Sequence, residues 1–284
     1  MAIFSGIRWR LSTFFRKSRN PLTCGSGFAT IASLENFHMQ AKKKYPRVGR
    51  LSGAEHTEIV REIFATIPDG YDLLNRVLSL RRDVAWRRFA VKRMRFFRTH
   101  RLLDLATGTA DLAMAAALAY PEIKVLALDL VPEMIGKGQR KVAGKSCHNR
   151  IQLLQGDACL LPVADGAVDV AAIAFGIRNI PDRLRTLREM VRVVVPGGQV
   201  MVLEMHLPEK AAIRGGYLLY LNHVLPRIAR CFTKNPAAYS YLSDSIISFP
   251  SPAGFAGLMR EAGIREIRQY PLTLGTTWLH IGWR

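Results

Sequence analysis

The feature that most constrains the fold is an alternation of short apolar runs with helix-like stretches across the middle of the chain. The apolar runs lie at 102–106, 123–128, 151–155, 168–174 and 200–204. Helix-like patterns lie between them at 111–118, from 132 onward and from 182 to about 194. Because strands that alternate with helices form parallel sheets covered on both faces, the sequence predicts an α/β fold with a Rossmann-like, mostly parallel sheet.

Helical patterns flank this region on both sides. Residues 54–98 repeat apolar residues at helical spacing, with a break at Pro68-Asp69-Gly70 and a predicted N-cap at Asp83. Further predicted elements are helices around 212–232, 236–248 and 252–263 and terminal strands at 265–272 and 275–283. We expect the helices before and after the sheet to form lid segments.

The charge is unevenly distributed along the chain. The protein has 41 Lys and Arg residues against 22 Asp and Glu residues, a net charge of +19. Residues 1–50 hold ten of the basic residues and a single acidic residue, Glu35. We predict a basic, disordered leader over 1–50 and one catalytic domain over 51–284. The composition leaves two origins open for the leader: a mitochondrial transit peptide, or an extension upstream of a start at Met39.

The cysteines give no sign of a metal or dithiol site. Cys24, Cys147, Cys159 and Cys231 are scattered, and the sequence contains no C-x-x-C pair. We therefore expect no bound metal, no disulfide framework and a reducing compartment.

Small and acidic residues stand where the first two predicted strands end. Asp104 precedes the turn Thr107-Gly108-Thr109, whose small residues let a ligand approach the backbone. Asp129 ends the second strand, 21 residues after Gly108, a spacing that suits a carboxylate binding ribose hydroxyls. Each signal alone also fits an ordinary turn or a helix cap.

Two more motifs follow the third and fourth predicted strands. Asp157 is placed to accept a hydrogen bond from an adenine amine, and the backbone N–H of Ala158 suits a ring nitrogen; the alternative is an Asp in a turn. The fourth strand ends at Ala174 and leads into Phe175-Gly176-Ile177-Arg178-Asn179. Because the carboxyl ends of parallel strands meet at one edge of a sheet, these motifs and the two earlier acids predict a single binding site.

The order and spacing of these motifs resemble class I S-adenosylmethionine (AdoMet)-dependent methyltransferases, and more narrowly the UbiE-like C-methyltransferases of quinone biosynthesis. Motifs similar to that family's pattern include YDLLN at 71–75, WRR at 86–88, GDA at 156–158, FGIRN at 175–179, PGG at 196–198, AYSYL at 238–242 and HIG at 280–282. The resemblance covers about residues 55–284. It implies the class I methyltransferase fold, with AdoMet as co-substrate.

The resemblance also implies a role for each site residue. The implied cofactor-binding residues are Asp104, Gly108, Thr109, Asp129, Asp157, Ala158 and Ala174. Of these, the Gly108 turn and Thr109 would lie beside the methionine part of AdoMet, Asp129 would hold the ribose, and Asp157 with Ala158 would meet the adenine. The implied catalytic residues are Arg178 and Asn179, which would face the quinol, and Tyr71, which would close over the site from the N-terminal helices.

The implied reaction suggests a task for Arg178. AdoMet brings its own electrophilic methyl group, so the protein supplies orientation and electrostatics. A quinol ring carbon becomes nucleophilic once a hydroxyl, of ordinary pKa about 10, loses its proton, and a fixed cation favours the resulting quinolate. We expect Arg178 to stabilise the quinolate rather than to accept the proton. The general base stays open, and a salt bridge to a surface acid is the alternative for Arg178.

The resemblance favours methylation of demethylmenaquinol to menaquinol in menaquinone biosynthesis. The alternatives are benzoquinol C-methylation in ubiquinone biosynthesis, an RNA methyltransferase on the same fold and a non-enzymatic scaffold. We expect no nucleic-acid partner, because the sequence shows no aromatic and basic platform for RNA. The oligomeric state, a homodimer included, is left open.

A polyprenylated substrate would place the enzyme at a membrane surface. The second predicted helix carries a cationic face of Arg87, Arg88, Lys92, Arg93 and Arg95, which suits anionic headgroups and ordinary solvation equally. We expect a cytoplasmic protein peripheral to the inner membrane, or a mitochondrial matrix protein if residues 1–38 are a transit peptide.

Three places depart from the family's usual pattern. The family's basic Gly-x-His segment before the tryptophan is replaced by Leu80-Arg81-Arg82-Asp83, which bears on the substrate entrance. Ala110 stands where glycine is usual, which bears on the shape of the cofactor loop. His206 stands where a small polar residue is common, either as an acid or base of the pocket or as a capping or solvated side chain.

Overall fold

The strands form one sheet built around the predicted alternation. The computed structural model describes residues 53–66, 68–232 and 237–284, and the predicted leader over 1–50 lies outside them. Within the described residues the strands are β1 Arg101–Leu105, β2 Lys124–Asp129, β3 Ile151–Gln155, β4 Val168–Ala174, β5 Val194–Met205, β6 Arg265–Leu272 and β7 Thr277–Trp283. They pair in the order β3-β2-β1-β4-β5-β7-β6. The first five are parallel, and β7 is antiparallel to both of its neighbours.

Helices precede β1, connect the parallel strands and lie between β5 and β6. Before β1 lie α1 Gly53–Thr66, α2 Pro68–Leu78 and α3 Arg82–Val91. Between the parallel strands lie α4 Asp111–Ala119, α5 Pro132–Ala143 and α6 Arg183–Val193. After β5 lie α7 Ala211–Leu219, α8 Leu225–Phe232, α9 Ala237–Ile247 and α10 Pro252–Glu261, with a π-helical segment at Tyr220–Val224.

The predicted fold class is confirmed, and the sequence boundaries shift at a few points. β5 begins at Val194 rather than at 200, because Val194 already pairs with Val168 before an irregularity in the ladder. The predicted helix break is confirmed at its first residue, since α1 ends at Thr66 and Pro68 begins α2, which fits the tolerance of the first helical turn for proline. The N-cap prediction for Asp83 is wrong: Arg81 precedes α3 in a left-handed conformation, and Asp83 lies buried in the first turn.

The central strands are apolar because the sheet is covered on both faces. Leu102 and Leu103 of β1 point to opposite faces, and neither is exposed to solvent. Leu102 shares an apolar cluster with Ala113 of α4, whereas Leu103 shares a different cluster with Leu187 of α6 and Phe255 of α10. Two helical layers therefore hold the strand ends at a fixed position, and those ends carry the site.

A third apolar cluster joins the helices before the sheet to those after it. Ile63 of α1 and Leu74 of α2 share this cluster with Leu221, Leu225 and Ile246. The two predicted lid segments therefore pack on each other. None of the helices in the described ranges is long and apolar enough to cross a membrane.

Candidate active site

A cleft of about 310 Å³ opens where the parallel strands end. β1 lies between β2 and β4, so the chain leaves the neighbouring strands toward opposite faces and a crevice forms at that point. Every predicted cofactor-binding residue lines this cleft: Asp104, Gly108, Thr109, Asp129, Asp157, Ala158 and Ala174. The structure therefore brings together the strand-end residues that the sequence separates.

The turn after β1 is shaped by left-handed residues around a buried carboxylate. Oδ2 of Asp104 accepts hydrogen bonds from Oγ1 of Thr107 at 2.6 Å and from the backbone N–H of Ala113 at 3.1 Å. Gly108 has φ 57° and Ala110 has φ 67°. Ala110 thus adopts a conformation that favours glycine, the residue usual at this position in the family that the sequence resembles, at a cost of about 1–2 kcal/mol. Burial raises the pKa of Asp104 to about 7 despite the two hydrogen bonds.

Asp129 ties the end of β2 to the turn after β1. Its Oδ2 accepts from the backbone N–H of Gly108 at 2.7 Å, and its Oδ1 accepts from the backbone N–H of Val131 at 3.0 Å. Each carboxylate oxygen has a second acceptor site, so both can still receive a hydroxyl hydrogen bond. Burial raises the pKa of Asp129, with the backbone hydrogen bonds opposing that shift.

The loops after β3 and β4 complete the wall of the cleft. Oδ1 of Asp157 accepts from the backbone N–H of Cys159 at 2.8 Å, which fixes the loop while the side chain stays exposed. A Cβ atom on Gly176 would lie 2.5 Å from Cβ of Ala106, so the loops after β1 and β4 touch at that glycine. Only a residue without a side chain allows this approach.

A network that the sequence did not reveal ties α2 to the cofactor turn. Oγ1 of Thr109 donates to Oδ1 of Asp72 at 2.6 Å. Nζ of Lys141, on α5, donates to Oδ2 of Asp72 at 2.8 Å and also to Oδ1 of Asp111. The hydrogen bonds and charge of Lys141 and the Thr109 hydroxyl hold the pKa of Asp72 below its ordinary value, although burial opposes them. These residues lie far apart in the sequence, so spacing gave no signal for them.

The side chain of Arg178 forms a buried ion pair beside the cleft. It is absent from the cleft lining, and its Nη1 donates to Oε1 of Glu204 and to the backbone oxygen of Phe175, each at 2.6 Å. Both partners of the Arg178–Glu204 pair are buried. The predicted alternative of a salt bridge to a surface acid is wrong, because Glu204 is fully buried. Arg178 and Asn179 lie in one short helical turn, Ile177–Asn179, and of these two residues Asn179 is the one that lines the cleft.

The remaining sequence predictions fall outside the cleft or outside the described side chains. The Tyr71 side chain lies outside the described residues, so its role stays a prediction. His206 is buried and does not line the cleft; its Nε2 is 3.1 Å from Nε2 of His280. Burial lowers the pKa of His206 to about 4 and that of His280 to about 3. Among the described side chains, no group of three His, Cys, Asp or Glu residues is arranged for a metal ion.

Helices α1 and α3 supply lining residues that sequence periodicity had assigned to helix packing or to a surface. Val60 and Phe64 of α1 form an apolar wall. Arg87 of α3 also lines the cleft; it pairs with Asp83 at 2.7 Å, and its guanidinium lies 5.1 Å from the ring centre of Phe175. These residues reach the cleft because of the way the helices pack over the sheet, and a local sequence pattern does not predict that packing.

The predicted cationic face of α3 is divided by its contacts. Arg87 faces the cleft, and the guanidinium of Arg93 lies 3.4 Å from the ring centre of Phe89. Arg88, Lys92 and Arg95 are exposed. The solvent-facing part of the patch is therefore smaller than predicted.

Comparisons with known proteins find relatives in sequence and in fold. Residues 52–284 match the ubiE/COQ5 methyltransferase family. A ubiquinone/menaquinone biosynthesis C-methyltransferase UbiE from Geobacter sp. (strain M21) is 40% identical over 230 residues, which cover 81% of this chain and 97% of that protein. Demethylmenaquinone methyltransferases from Deinococcus radiodurans and Bacillus cereus are 39% and 37% identical over 79% of this chain, and the matches cover 92% and 95% of those proteins.

Solved structures share the fold at low sequence identity. An AdoMet-dependent methyltransferase from Thermotoga maritima superposes with a TM-score of 0.55 at 18% identity, over 78% of this chain and 98% of that chain. An O-methyltransferase family protein from Burkholderia thailandensis gives a TM-score of 0.52 at 17% identity, over 73% of this chain and 56% of that chain. These likenesses establish the class I methyltransferase fold.

Proposed function

Since the chain belongs to the ubiE/COQ5 methyltransferase family, we propose that it transfers the methyl group of AdoMet to a ring carbon of a polyprenylated quinol, converting demethylmenaquinol to menaquinol. The observation that carries this proposal is the similarity to demethylmenaquinone methyltransferases over 79% of the chain. Benzoquinol C-methylation is the second candidate, because the Geobacter relative is named for ubiquinone as well as menaquinone biosynthesis.

AdoMet would lie along the strand ends with each part beside a different loop. Asp129 accepts from the ribose hydroxyls, and Asp157 with the backbone of Ala158 meets the adenine. The methionine part lies at the turn after β1, where the carboxylate of Asp104 faces its positive charge. Gly108 and Ala174 are small enough to let the cofactor approach the backbone closely.

The quinol ring would enter on the side of the cleft formed by α1 and the loop after β4. Val60 and Phe64 give this side an apolar wall for an isoprenoid tail, and Asn179 offers a polar group to a ring oxygen. The quinol hydroxyl loses its proton, the ring carbon attacks the methyl carbon, and the methyl–sulfur bond breaks as S-adenosylhomocysteine leaves. The methylated carbon then gives up its own proton as the ring regains aromaticity, and the ring oxygen takes up a proton to give the methylated quinol, so that one proton is released overall.

Arg178 would act on the substrate through the loop that it holds rather than by direct charge. Glu204 balances its charge at 2.6 Å, which weakens its field at the quinol. The hydrogen bond from Arg178 to the backbone oxygen of Phe175 holds the turn that carries Asn179. Arg178→Ala should therefore lower turnover while AdoMet affinity stays nearly unchanged. Wild-type turnover in this variant would remove Arg178 from the mechanism.

An anionic membrane surface is the proposed place of action, at the inner face of the cytoplasmic membrane. Arg88, Lys92 and Arg95 are exposed on and just after α3, and Leu80 and Phe97, which flank this segment in the sequence, are 83% and 54% exposed. Cations next to exposed apolar side chains are the usual composition of a peripheral membrane contact.

Vesicle flotation tests the membrane contact. The triple variant R88Q/K92Q/R95Q should lose most of its binding to vesicles that contain phosphatidylglycerol, whereas wild type should bind them more strongly than neutral phosphatidylcholine vesicles. Lys124→Gln, an exposed change at the start of β2, serves as the control. Equal flotation of wild type and the triple variant would contradict this surface assignment.

Side-by-side assays test the proposed reaction and its substrate. Purified full-length protein is incubated with methyl-labelled AdoMet and either demethylmenaquinol, a demethylated polyprenyl benzoquinol or total RNA. We expect label in the naphthoquinol product, with weaker or no labelling of the benzoquinol. Preferred labelling of the benzoquinol would favour the second candidate, and label confined to RNA would contradict quinol methylation.

A further inference from the structure

A hydrogen-bonded chain of buried side chains leads from α1 to the cleft. Nε2 of His56 lies 2.8 Å from the hydroxyl oxygen of Tyr241 on α9, and that hydroxyl donates to Oδ1 of Asn179 at 3.2 Å. His56, Tyr241 and Asn179 are 4%, 5% and 8% exposed. Asn179 lines the cleft, whereas His56 and Tyr241 stand behind it.

The number of protons on these side chains decides which atom donates in each hydrogen bond. A tyrosine hydroxyl has one proton, and in this arrangement Tyr241 donates it to Oδ1 of Asn179. The 2.8 Å contact with His56 then requires Nε2–H of the imidazole to donate to the Tyr241 oxygen. Burial and the nearby charge of Arg183 lower the pKa of His56, so the neutral tautomer with its proton on Nε2 satisfies the chain.

The direction of the chain decides which arm of the Asn179 amide meets a ligand. An amide carries its oxygen and its –NH2 on separate arms, so an oxygen turned to Tyr241 leaves the –NH2 as the donor for the cleft. A donor stabilises a quinolate oxygen, whereas an amide oxygen in the same place would repel it. The reverse orientation would therefore oppose the charge that develops before methyl transfer.

We propose, on the basis of the function above, that His56 and Tyr241 are positioning residues that hold the Asn179 amide with its –NH2 toward the quinol oxygen. Neither residue touches substrate or cofactor. The two side chains instead remove the competing amide orientation before the substrate arrives, so that stabilisation of the quinolate needs no rearrangement during the reaction.

A double-mutant cycle with demethylmenaquinol and AdoMet tests this assignment. Tyr241→Phe should lower kcat about 10-fold, because the Asn179 amide is no longer held in one orientation, and Asn179→Ala should lower it about 100-fold, the effect of one lost hydrogen bond to a developing charge, while the Kd for AdoMet stays within about twofold of wild type. Because Tyr241 acts through Asn179, the double variant should be no slower than Asn179→Ala alone. Tyr120→Phe, which removes a hydroxyl that donates to the backbone oxygens of Val91 and Met94, is the matched control and should keep wild-type kcat.

A second pair of variants covers the case in which loss of the Tyr241 hydroxyl disturbs folding. His56→Gln retains an N–H donor at a similar reach, whereas His56→Leu retains none, so the Gln variant should be several-fold faster at equal thermal stability. Multiplicative losses in the double variant, wild-type kcat in Tyr241→Phe or equal rates for the two His56 variants would overturn the assignment. An inactive wild type would overturn the proposed function itself, and this inference with it, before any variant is compared.

Discussion

Asp104 and Asp129 are both buried carboxylates at strand ends, yet their surroundings give them different tasks. Asp129 receives backbone N–H groups on both oxygens, which orients it for neutral hydroxyl donors. The two hydrogen bonds described for Asp104 both reach Oδ2, and burial raises its pKa to about 7. A cation bound beside Asp104 would therefore lower the pKa of this carboxyl and favour its ionised form.

Asp129→Ala is expected to weaken AdoMet binding about 10- to 100-fold, the effect of losing hydrogen bonds from a carboxylate to two hydroxyl groups. Isothermal titration calorimetry gives the Kd. Asp129→Asn keeps one acceptor oxygen and should fall between the alanine variant and wild type. Unchanged affinity in the alanine variant would refute the ribose assignment.

Asp104→Asn is expected to change how stability depends on pH. The folded-state pKa of about 7 lies above the unfolded value of 3.8, so the folded protein holds a proton that the unfolded chain has released between these values. The free energy of unfolding should therefore fall as the pH rises from about 4 to about 7 in wild type, and this fall should disappear in the variant. Thermal unfolding at pH 5 and pH 8 measures it; parallel behaviour of the two proteins would contradict the assignment.

The same group predicts a pH effect on the cofactor. The ionised Asp104 attracts the positive charge of AdoMet, so wild-type affinity should increase from pH 6 to pH 8 while the Asn variant stays flat. Calorimetric titration at the two pH values gives both numbers. A wild-type affinity independent of pH over this range would separate Asp104 from the charged end of the cofactor.

Single residues were predictable from the sequence where their signal was local. Asp129 stood at a fixed spacing from Gly108 and at a strand end, and it lines the cleft. His56 and Tyr241 are 185 positions apart, and their contact exists only after α1 and α9 have packed together. Arg178 shows the converse limit: its motif was visible, but the buried partner Glu204 that turns it from the cleft was not.

At the scale of elements, α2 is held over the cofactor turn by charge as well as by apolar packing. Lys141 of α5 bridges Asp72 of α2 and Asp111 of α4, and Thr109 completes the link. A ligand in the cleft would meet this helix as a cover that is fixed from three sides.

Lys141→Ala should loosen that cover and speed the release of AdoMet. The pair with Asp72 is largely shielded, so about 1–2 kcal/mol of coupling, or about a 5- to 30-fold faster off-rate, is expected. Stopped-flow fluorescence measures the off-rate. Lys145→Ala, an exposed lysine just beyond the same helix, is the control, and an equal off-rate in both variants would show that α2 does not cover the cofactor.

Alanine substitutions at two glycines should have opposite effects on stability, because one glycine is required by close packing and the other lies in an open helix position. Gly176→Ala should destabilise the protein by about 1–3 kcal/mol, because its Cβ would meet Cβ of Ala106 at 2.5 Å. Gly136→Ala, inside α5 with its nearest neighbour atom at 3.7 Å, should stabilise it by about 0.5–1 kcal/mol. Opposite shifts in urea midpoint confirm the account, and shifts of the same sign contradict it.

Elements with strong periodicity were predicted well, and their ends less well. The strands β1 to β4 lie where the apolar runs placed them, because buried parallel strands leave a continuous apolar signal. The start of α3 was missed, since Asp83 accepts from the hydroxyl of Ser79 and pairs with Arg87 instead of capping the helix. Side-chain partners outside the local window decide such ends.

At the scale of the whole molecule, a methyltransferase sheet is combined with an apolar helical layer and an exposed cationic patch. The strand ends of the sheet carry the residues proposed to bind AdoMet, and α1 adds the apolar wall of Val60 and Phe64 to the same cleft. Arg88, Lys92 and Arg95 remain exposed near that layer in sequence. This combination suits the proposed function, in which the cofactor comes from the aqueous phase and the substrate from a membrane.

The position of the transferred methyl group tests the central claim most directly. Wild-type protein is incubated with AdoMet labelled with carbon-13 in the methyl group and with demethylmenaquinol, and the extracted product is examined by NMR and mass spectrometry. We predict one labelled methyl group bonded to a ring carbon of the naphthoquinol. A labelled methoxy group, or an unlabelled quinol from enzyme that binds AdoMet, would contradict C-methylation of this substrate.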